Sequence, residues 1–182
     1  MKQVNYALYK TTLVIGASSL KQVLWYFTNI LVLKNSMVPF SGIKVFLLRA
    51  FGAVVGDRVI IKPCVNIKYP WKLKIGNDSW IGEGVWIDNI DEVIIGQSVC
   101  LSQGALLLTG NHDYKKVTFD LITAPVIIED GVWIGAAAIV CPGVVCKTHA
   151  VLSVASVATK DLEPYSVYKG NPATKASERM IC

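Results

Sequence analysis

"VIIEDGVWIGAAAIVCPGVVCKTHAVLSVASVA", from Val126 to Ala158, places a small or aliphatic residue at every sixth position: Ile128, Ile134, Val140, Cys146, Leu152 and Ala158. Four places after each of the first five stands another small or β-branched residue, Val132, Ala138, Val144, Ala150 and Ser156. A period of six matches neither a helix nor an isolated alternating strand. It is satisfied when each hexad is one short flat strand plus a turn, so that three hexads close a triangular coil with the aliphatic positions stacked inside. Adjacent coils then pair as parallel strands about 4.8 Å apart.

Upstream, the same grammar runs back through Ile95, Leu101 and Leu107, then Ile75, Ile81 and Ile87, and begins with Val55, Ile61 and Ile67. Thirteen of these fifteen positions are Ile, Leu or Val, and at three hexads per coil they predict a mainly β protein, a parallel β-helix of about five coils. Glycine often follows the aliphatic residue, as at Gly56, Gly76, Gly82, Gly96 and Gly135. The register slips by two residues after Ile67 and after Ile87, and by fifteen after Leu107. All three slips fall in the third hexad of a coil and therefore emerge at one corner of the prism. Trp71, Asp91 and Asn111, which break the small-residue rule, lie in the same hexads. The largest slip is the inserted loop 109–125, "TGNHDYKKVTFDLITAP", which holds His112, one of only two histidines. Fifteen extra residues extend about 50 Å at roughly 3.3 Å each, or about 25 Å out and back. Such a loop can overhang a neighbouring prism, and long loops on rigid scaffolds are where function concentrates.

At 182 residues the chain suits one buried domain with terminal appendages. These are a helical segment 1–52, the repeat domain 53–162 and an extension 163–182. The 18 basic residues are scattered, so the net charge of +5 argues against a nucleic-acid arm and suits an anionic small molecule. Five cysteines without a CxxC pair point to a reducing compartment, where they serve as packing or surface thiols. "SSLKQVLWYFTNILVL", residues 18–33, reads as a helix capped by Ser18 or Ser19, with Leu20, Val23, Leu24, Phe27, Ile30 and Leu31 as its apolar face. Lys21, Gln22, Thr28 and Asn29 interrupt it, leaving it short of a membrane span. A second helix, "SGIKVFLLRAFG", starts after Pro39 and ends near Gly52. Two readings stay open for this pair: packing on the main domain or a neighbouring subunit, or lying in a membrane interface. No signal-peptide cleavage site follows, so a cytoplasmic location is expected.

"IGEGVWIDN", "GNHDY" with "FDL" and "AP", "IEDGVWIGA" and "SVATKDLEPYSVYKGNPAT" together carry a family resemblance. From about Phe46 to the end, the chain resembles the hexapeptide-repeat O-acetyltransferases, and most the colanic acid biosynthesis acetyltransferase group. The resemblance implies a left-handed winding, acetyl-CoA as donor, no metal, and a sugar hydroxyl of a surface polysaccharide as acceptor, acetylated at the inner membrane face. It also implies a homotrimer with sites between subunits. By motif position His112 is the general base, and Asp113 and Tyr114 orient it or bind the acceptor. Asp88 and Asn89 are acceptor contacts, although turn chemistry explains them nearly as well. Ala136 and Val154 match residues that contact coenzyme A through their main chain, and Thr159 and Lys160 match the pair near its nucleotide end. Thr174 and Ser177 stand where the family often has arginines for the phosphates, and Lys175 or Arg179 can substitute. Gly82 stands where many maltose and galactoside acetyltransferases have an acceptor-binding asparagine, which argues against their simple-sugar acceptors.

Two other functions compete. Prisms of this kind that carry zinc as carbonic anhydrases need three histidine ligands, and only His112 and His149 are present. A non-catalytic scaffold is the stronger rival, because repeats alone imply only stability. His149 is expected to be an exposed spacer at a hexad turn. Trp80, Trp86 and Trp133 point outward, for packing between prisms or for ligand stacking.

Overall fold

The computed structural model describes residues 3–11 and 13–182. In it the fifteen hexads form strands of two or three residues on three faces of a prism, and their register reproduces the sixfold reading residue by residue. On the first face Val55, Ile75, Ile95, Ile128 and Cys146 stack in one column. Ile61, Ile81, Leu101, Ile134 and Leu152 form the second column, and Ile67, Ile87, Leu107, Val140 and Ala158 the third. None of the fifteen is more than 7% exposed, and the small residues four places on are buried with them. Five coils are complete. A sixth begins where Leu162 bridges to Cys146 and the strand Ser166–Gly170 pairs with Val151–Leu152.

The recurring glycines have a steric cause. A Cβ on Gly76 would lie 2.5 Å from the carbonyl carbon of Gly96, and one on Gly135 would lie 2.6 Å from the amide nitrogen of Val154. Successive coils pass close enough at these two corners that only hydrogen fits between them. At the third corner, where the register slips, the equivalent positions are Lys68, Asp88 and Leu108, all with side chains.

The first helix, α1 (Ser19–Thr28), starts at Ser18, whose hydroxyl accepts from the Lys21 amide, and continues as a π-helical turn through Asn29–Leu33. The second, α2, spans Ser41–Ala50. Both pack on the first coil, but α1 does so with the face opposite to its apolar stripe. Trp25, Asn29 and Leu33 are buried, whereas Leu20, Val23, Leu24, Phe27, Ile30 and Leu31 are exposed. The first coil is an open edge with unpaired backbone groups, and such groups demand polar partners. The helices supply them. Trp25 Nε1 donates to the Ile67 carbonyl at 2.9 Å, Lys44 Nζ to Lys62 O at 2.7 Å, and Arg49 Nε to Val55 O at 2.9 Å. Asn29 Nδ2 donates to Asn66 Oδ1 at 2.8 Å, and the Ser41 hydroxyl accepts from the Ile61 amide at 3.1 Å. Hydrogen bonding to an open ladder thus outweighs apolar patterning in orienting α1. No helix among the described residues is long and apolar enough to cross a membrane.

At the other end the strand Ser166–Gly170 turns back into Ala173–Glu178, an antiparallel hairpin on the second face. All five cysteines are free thiols. Cys146 sits inside the prism, where burial raises its pKa and keeps it protonated and inert.

Candidate active site

The inserted loop folds into an antiparallel hairpin, Gly110–His112 paired with Leu121–Thr123. Its root is tied to the coil beneath: the Thr109 hydroxyl donates to Asp88 O and accepts from the Asp91 amide, both at 2.9 Å. Inside the hairpin the His112 ring stacks on Phe119, with centroids 4.4 Å apart and planes 9° from parallel. Its Nδ1 lies 3.0 Å from the Phe119 carbonyl oxygen. A carbonyl can only accept, so Nδ1 carries the hydrogen and the lone pair of the neutral imidazole is on Nε2.

The hairpin does not stand free as its length allowed. Residues 3–11 cross it: the Asn5 amide donates to Val117 O at 2.9 Å, Tyr6 meets Phe119 edge-on at 5.3 Å, and the Tyr9 ring lies 6.0 Å from that of His112. Sequence reasoning missed Tyr6, Tyr9 and Phe119. The N-terminal contacts span more than a hundred residues, and no repeat signals them.

Asp113 and Tyr114 do not orient the imidazole, contrary to one reading of them; the Phe119 carbonyl does. Asp113 Oδ1 accepts from the Lys115 amide at 3.2 Å, and its other oxygen is 3.9 Å from Lys116 Nζ. Tyr114 projects into solvent. Lys116 also pairs with Asp120 at 3.0 Å, and hydrogen bonds from Thr118 and Lys116 hold the Asp120 carboxyl below the usual carboxylate range. These contacts brace the tip of the hairpin.

Asp88 and Asn89 separate. Asp88 borders a cavity of about 560 Å³ between α1 and the third face, together with Tyr26, Ile30, Lys34, Lys68 and Trp86. Its Oδ1 forms an ion pair with Lys68 Nζ at 2.9 Å, with an angle short of a hydrogen bond. Asn89 cannot serve as the expected acceptor contact. It is fully buried, donating to Tyr69 O at 2.6 Å and accepting from the Tyr69 amide at 3.0 Å, so its side chain clamps the backbone of the preceding coil.

A second cavity, about 750 Å³, follows the corner between the second and third faces. Ala136 and Val154 line it, with Ser102, Trp133, Val167 and Arg179. Trp133 Nε1 donates to the Ser102 hydroxyl at 2.9 Å, which fixes the indole along the groove wall. Arg179 Nη1 donates to the carbonyls of Gly131 and His149, at 2.8 and 3.2 Å, leaving the rest of the guanidinium at the groove edge. Thr159, Lys160 and Lys175 are exposed and do not line this groove, and Lys175 pairs with Glu178 at 2.6 Å. Thr174 and Ser177 are exposed on the terminal hairpin. His149 is not the exposed spacer expected of it: half-buried, it stacks on Tyr165 with centroids 4.8 Å apart, packed above Gly131. Among the described residues no three His, Cys, Asp or Glu side chains gather to hold a metal.

The histidine on its braced hairpin and the apolar groove beside stacked turns lie on different corners of one prism. The WcaF protein of Escherichia coli (strain K12), named as a colanic acid biosynthesis acetyltransferase, is 34% identical to this chain over 165 residues, covering 91% of each. The chain belongs to the hexapeptide-repeat acetyltransferases of the WcaF type. The galactoside O-acetyltransferase of Escherichia coli (strain K12) is 28% identical over 130 residues, covering 69% of this chain and 64% of that one. Among solved structures, the hexapeptide-repeat acetyltransferase VCA0836 of Vibrio cholerae O1 biovar eltor, complexed with acetyl coenzyme A, superimposes with a TM-score of 0.80 at 21% identity. That match covers 91% of this chain and 92% of that one. No family model matches the sequence. The shared fold of this acetyltransferase is the left-handed parallel β-helix with its N-terminal helices.

Proposed function

We propose that the protein transfers an acetyl group from acetyl-CoA to a sugar hydroxyl during surface polysaccharide biosynthesis, with His112 as general base. The observation that carries this reading is the Nδ1–H bond to Phe119 O, which leaves Nε2 as the basic nitrogen on a ring fixed by stacking. An imidazole so held takes the hydroxyl proton as the sugar oxygen attacks the thioester carbonyl, and returns it to the departing thiolate. Proximity of the two substrates supplies much of the remaining acceleration.

The groove suits the donor. Its apolar walls accept a pantetheine arm, the turn amides around Ala136 and Val154 offer main-chain contacts, and Arg179 supplies positive charge at the groove edge. Thr159 and Lys160 then belong to the nucleotide end of the donor. Asp88, Tyr26 and Lys34 border the cavity we assign to the acceptor. His112 and the donor groove occupy different corners of one prism, so a ring of three prisms brings the hairpin of one chain against the groove of the next. VCA0836 binds acetyl coenzyme A, and AntD of Bacillus cereus, an N-acyltransferase at 18% identity and a TM-score of 0.63, binds coenzyme A with a dTDP-linked amino sugar. Both are consistent with a CoA donor and a sugar acceptor here.

Titration of the purified protein with acetyl-CoA, alongside sizing with light scattering, tests this. Saturable binding at a stoichiometry of one donor per chain in a trimeric species is expected. A stable monomer that binds no acetyl-CoA at millimolar concentration returns the assignment to the non-catalytic scaffold.

A further inference from the structure

The orientation of α1 leaves an apolar surface that nothing in the transfer chemistry uses. Because polar groups of the helices are spent on the open edge of the first coil, Leu20 and Leu24 of α1 and Leu31 of the π-helical turn face outward, as do Phe40 and Phe46 beside and within α2. Leu20 is 69% exposed, Leu31 63% and Phe46 67%. Isolated exposed apolar residues are ordinary, but side chains this large gathered on two helices at one end of a prism are not.

Charge identifies the partner. Residues 1–56 contain six basic residues, Lys2, Lys10, Lys21, Lys34, Lys44 and Arg49, and no acidic one. The remaining 126 residues hold 12 basic residues against 13 acidic. The entire positive excess of the chain thus lies in the segment that carries the apolar face. Lys44 and Arg49 are engaged with first-coil carbonyls and Lys21 lies over the Trp71 ring. Lys34 and Lys62 are exposed and make no ion pair among the described residues, whereas Lys10 lies beside the inserted hairpin with Asp113 and Asp120 and is not part of this end. Lys62 belongs to the same end, because its carbonyl accepts from Lys44.

We propose that this helical end docks on an anionic phospholipid bilayer, with the Leu and Phe side chains entering the interface and the lysines meeting phosphate headgroups. An amphipathic helix with aromatic and Leu residues on one side and cations around them lies in the headgroup boundary, and surface potential draws its lysines there. A twofold contact between copies of this chain would set the cationic segment against itself, and an oppositely charged surface is the better complement. The prism then stands on the membrane by its first coil.

Vesicle sedimentation of the full chain tests this with phosphatidylcholine alone, and with phosphatidylcholine containing phosphatidylglycerol. Binding to the anionic vesicles is expected to be stronger by about tenfold or more, and to weaken as salt rises. The combined variant Leu20→Ser, Leu24→Ser, Leu31→Ser, Phe46→Ser, checked for native circular dichroism, should bind those vesicles on the order of a hundredfold more weakly. These four residues lie outside the cavities assigned to acceptor and donor. Equal binding to both vesicle types, no binding to either, or full binding by the variant would overturn the proposal. So would a variant that loses its oligomeric state in sizing while the unmodified chain ignores vesicles, since a neighbouring copy then covers the face. Failure on any of these counts leaves the acetyl-transfer reading untouched.

Discussion

Replacing His112 with alanine should lower the rate of acetyl transfer by about 10² to 10⁴ while leaving acetyl-CoA affinity largely unchanged, the range expected for loss of a positioned general base. The imidazole is held at two points by its own hairpin, through Nδ1 to the Phe119 carbonyl and through stacking on the Phe119 ring. Its removal deletes the proton acceptor without touching the root of the loop, which is tied separately through Thr109. Steady-state kinetics with an acceptor found by screening nucleotide sugars, glycosides and lipid-linked saccharides, paired with a donor titration, separates the two effects. An unaltered rate would remove His112 from the chemistry. A parallel loss of donor binding would instead show that the side chain supports the groove.

The second large effect concerns stability. Leu101→Ala should cost about 2 to 5 kcal/mol, the range for truncating a buried leucine that leaves a cavity behind. Leu101 is fully buried in the second column, between Ile81 and Ile134. Each coil of a solenoid is supported only by its neighbours. The strands above and below are fixed by their own ladders and cannot collapse into the gap, so the upper half of the range is expected. Urea unfolding of the two proteins at equal concentration measures the difference. A change below about 1 kcal/mol would mean that the column relaxes far more freely than a stacked core should.

The repeat was legible because its signal is local and redundant. Each of fifteen positions states the same rule, and the structure places all of them in three buried columns. Even the glycines at Gly76 and Gly135 were visible as a pattern, although the reason for them, the approach of the next coil's backbone, belongs to three dimensions. The corner that carries the inserted loop was readable from where the register slips.

What escaped the sequence depends on partners that no period encodes. The apolar stripe of α1 suits packing or a membrane interface equally in the sequence, and the open backbone edge of the first coil decides the packing face through Trp25, Asn29 and their neighbours. Asn89 was grouped with Asp88 because the two are adjacent, but consecutive residues at a corner point different ways, and Asn89 turns inward to Tyr69. His112 stood out by its motif, whereas the atom that sets its tautomer is a backbone carbonyl, and backbone carbonyls look alike in every sequence. His149 appeared to be a spacer because Tyr165, on which it stacks, lies beyond the end of the repeats.

A structure of the oligomer with coenzyme A bound bears most directly on the chemistry. The thiol should lie at the mouth of the groove beside Ala136 and Val154, with Nε2 of a neighbouring chain's His112 within roughly 3 to 6 Å of the sulfur, close enough for a proton to pass directly or through one water. Coenzyme A bound elsewhere, or a His112 ring turned from the thiol with no space for a hydroxyl between them, would contradict the assignment of this histidine as the base.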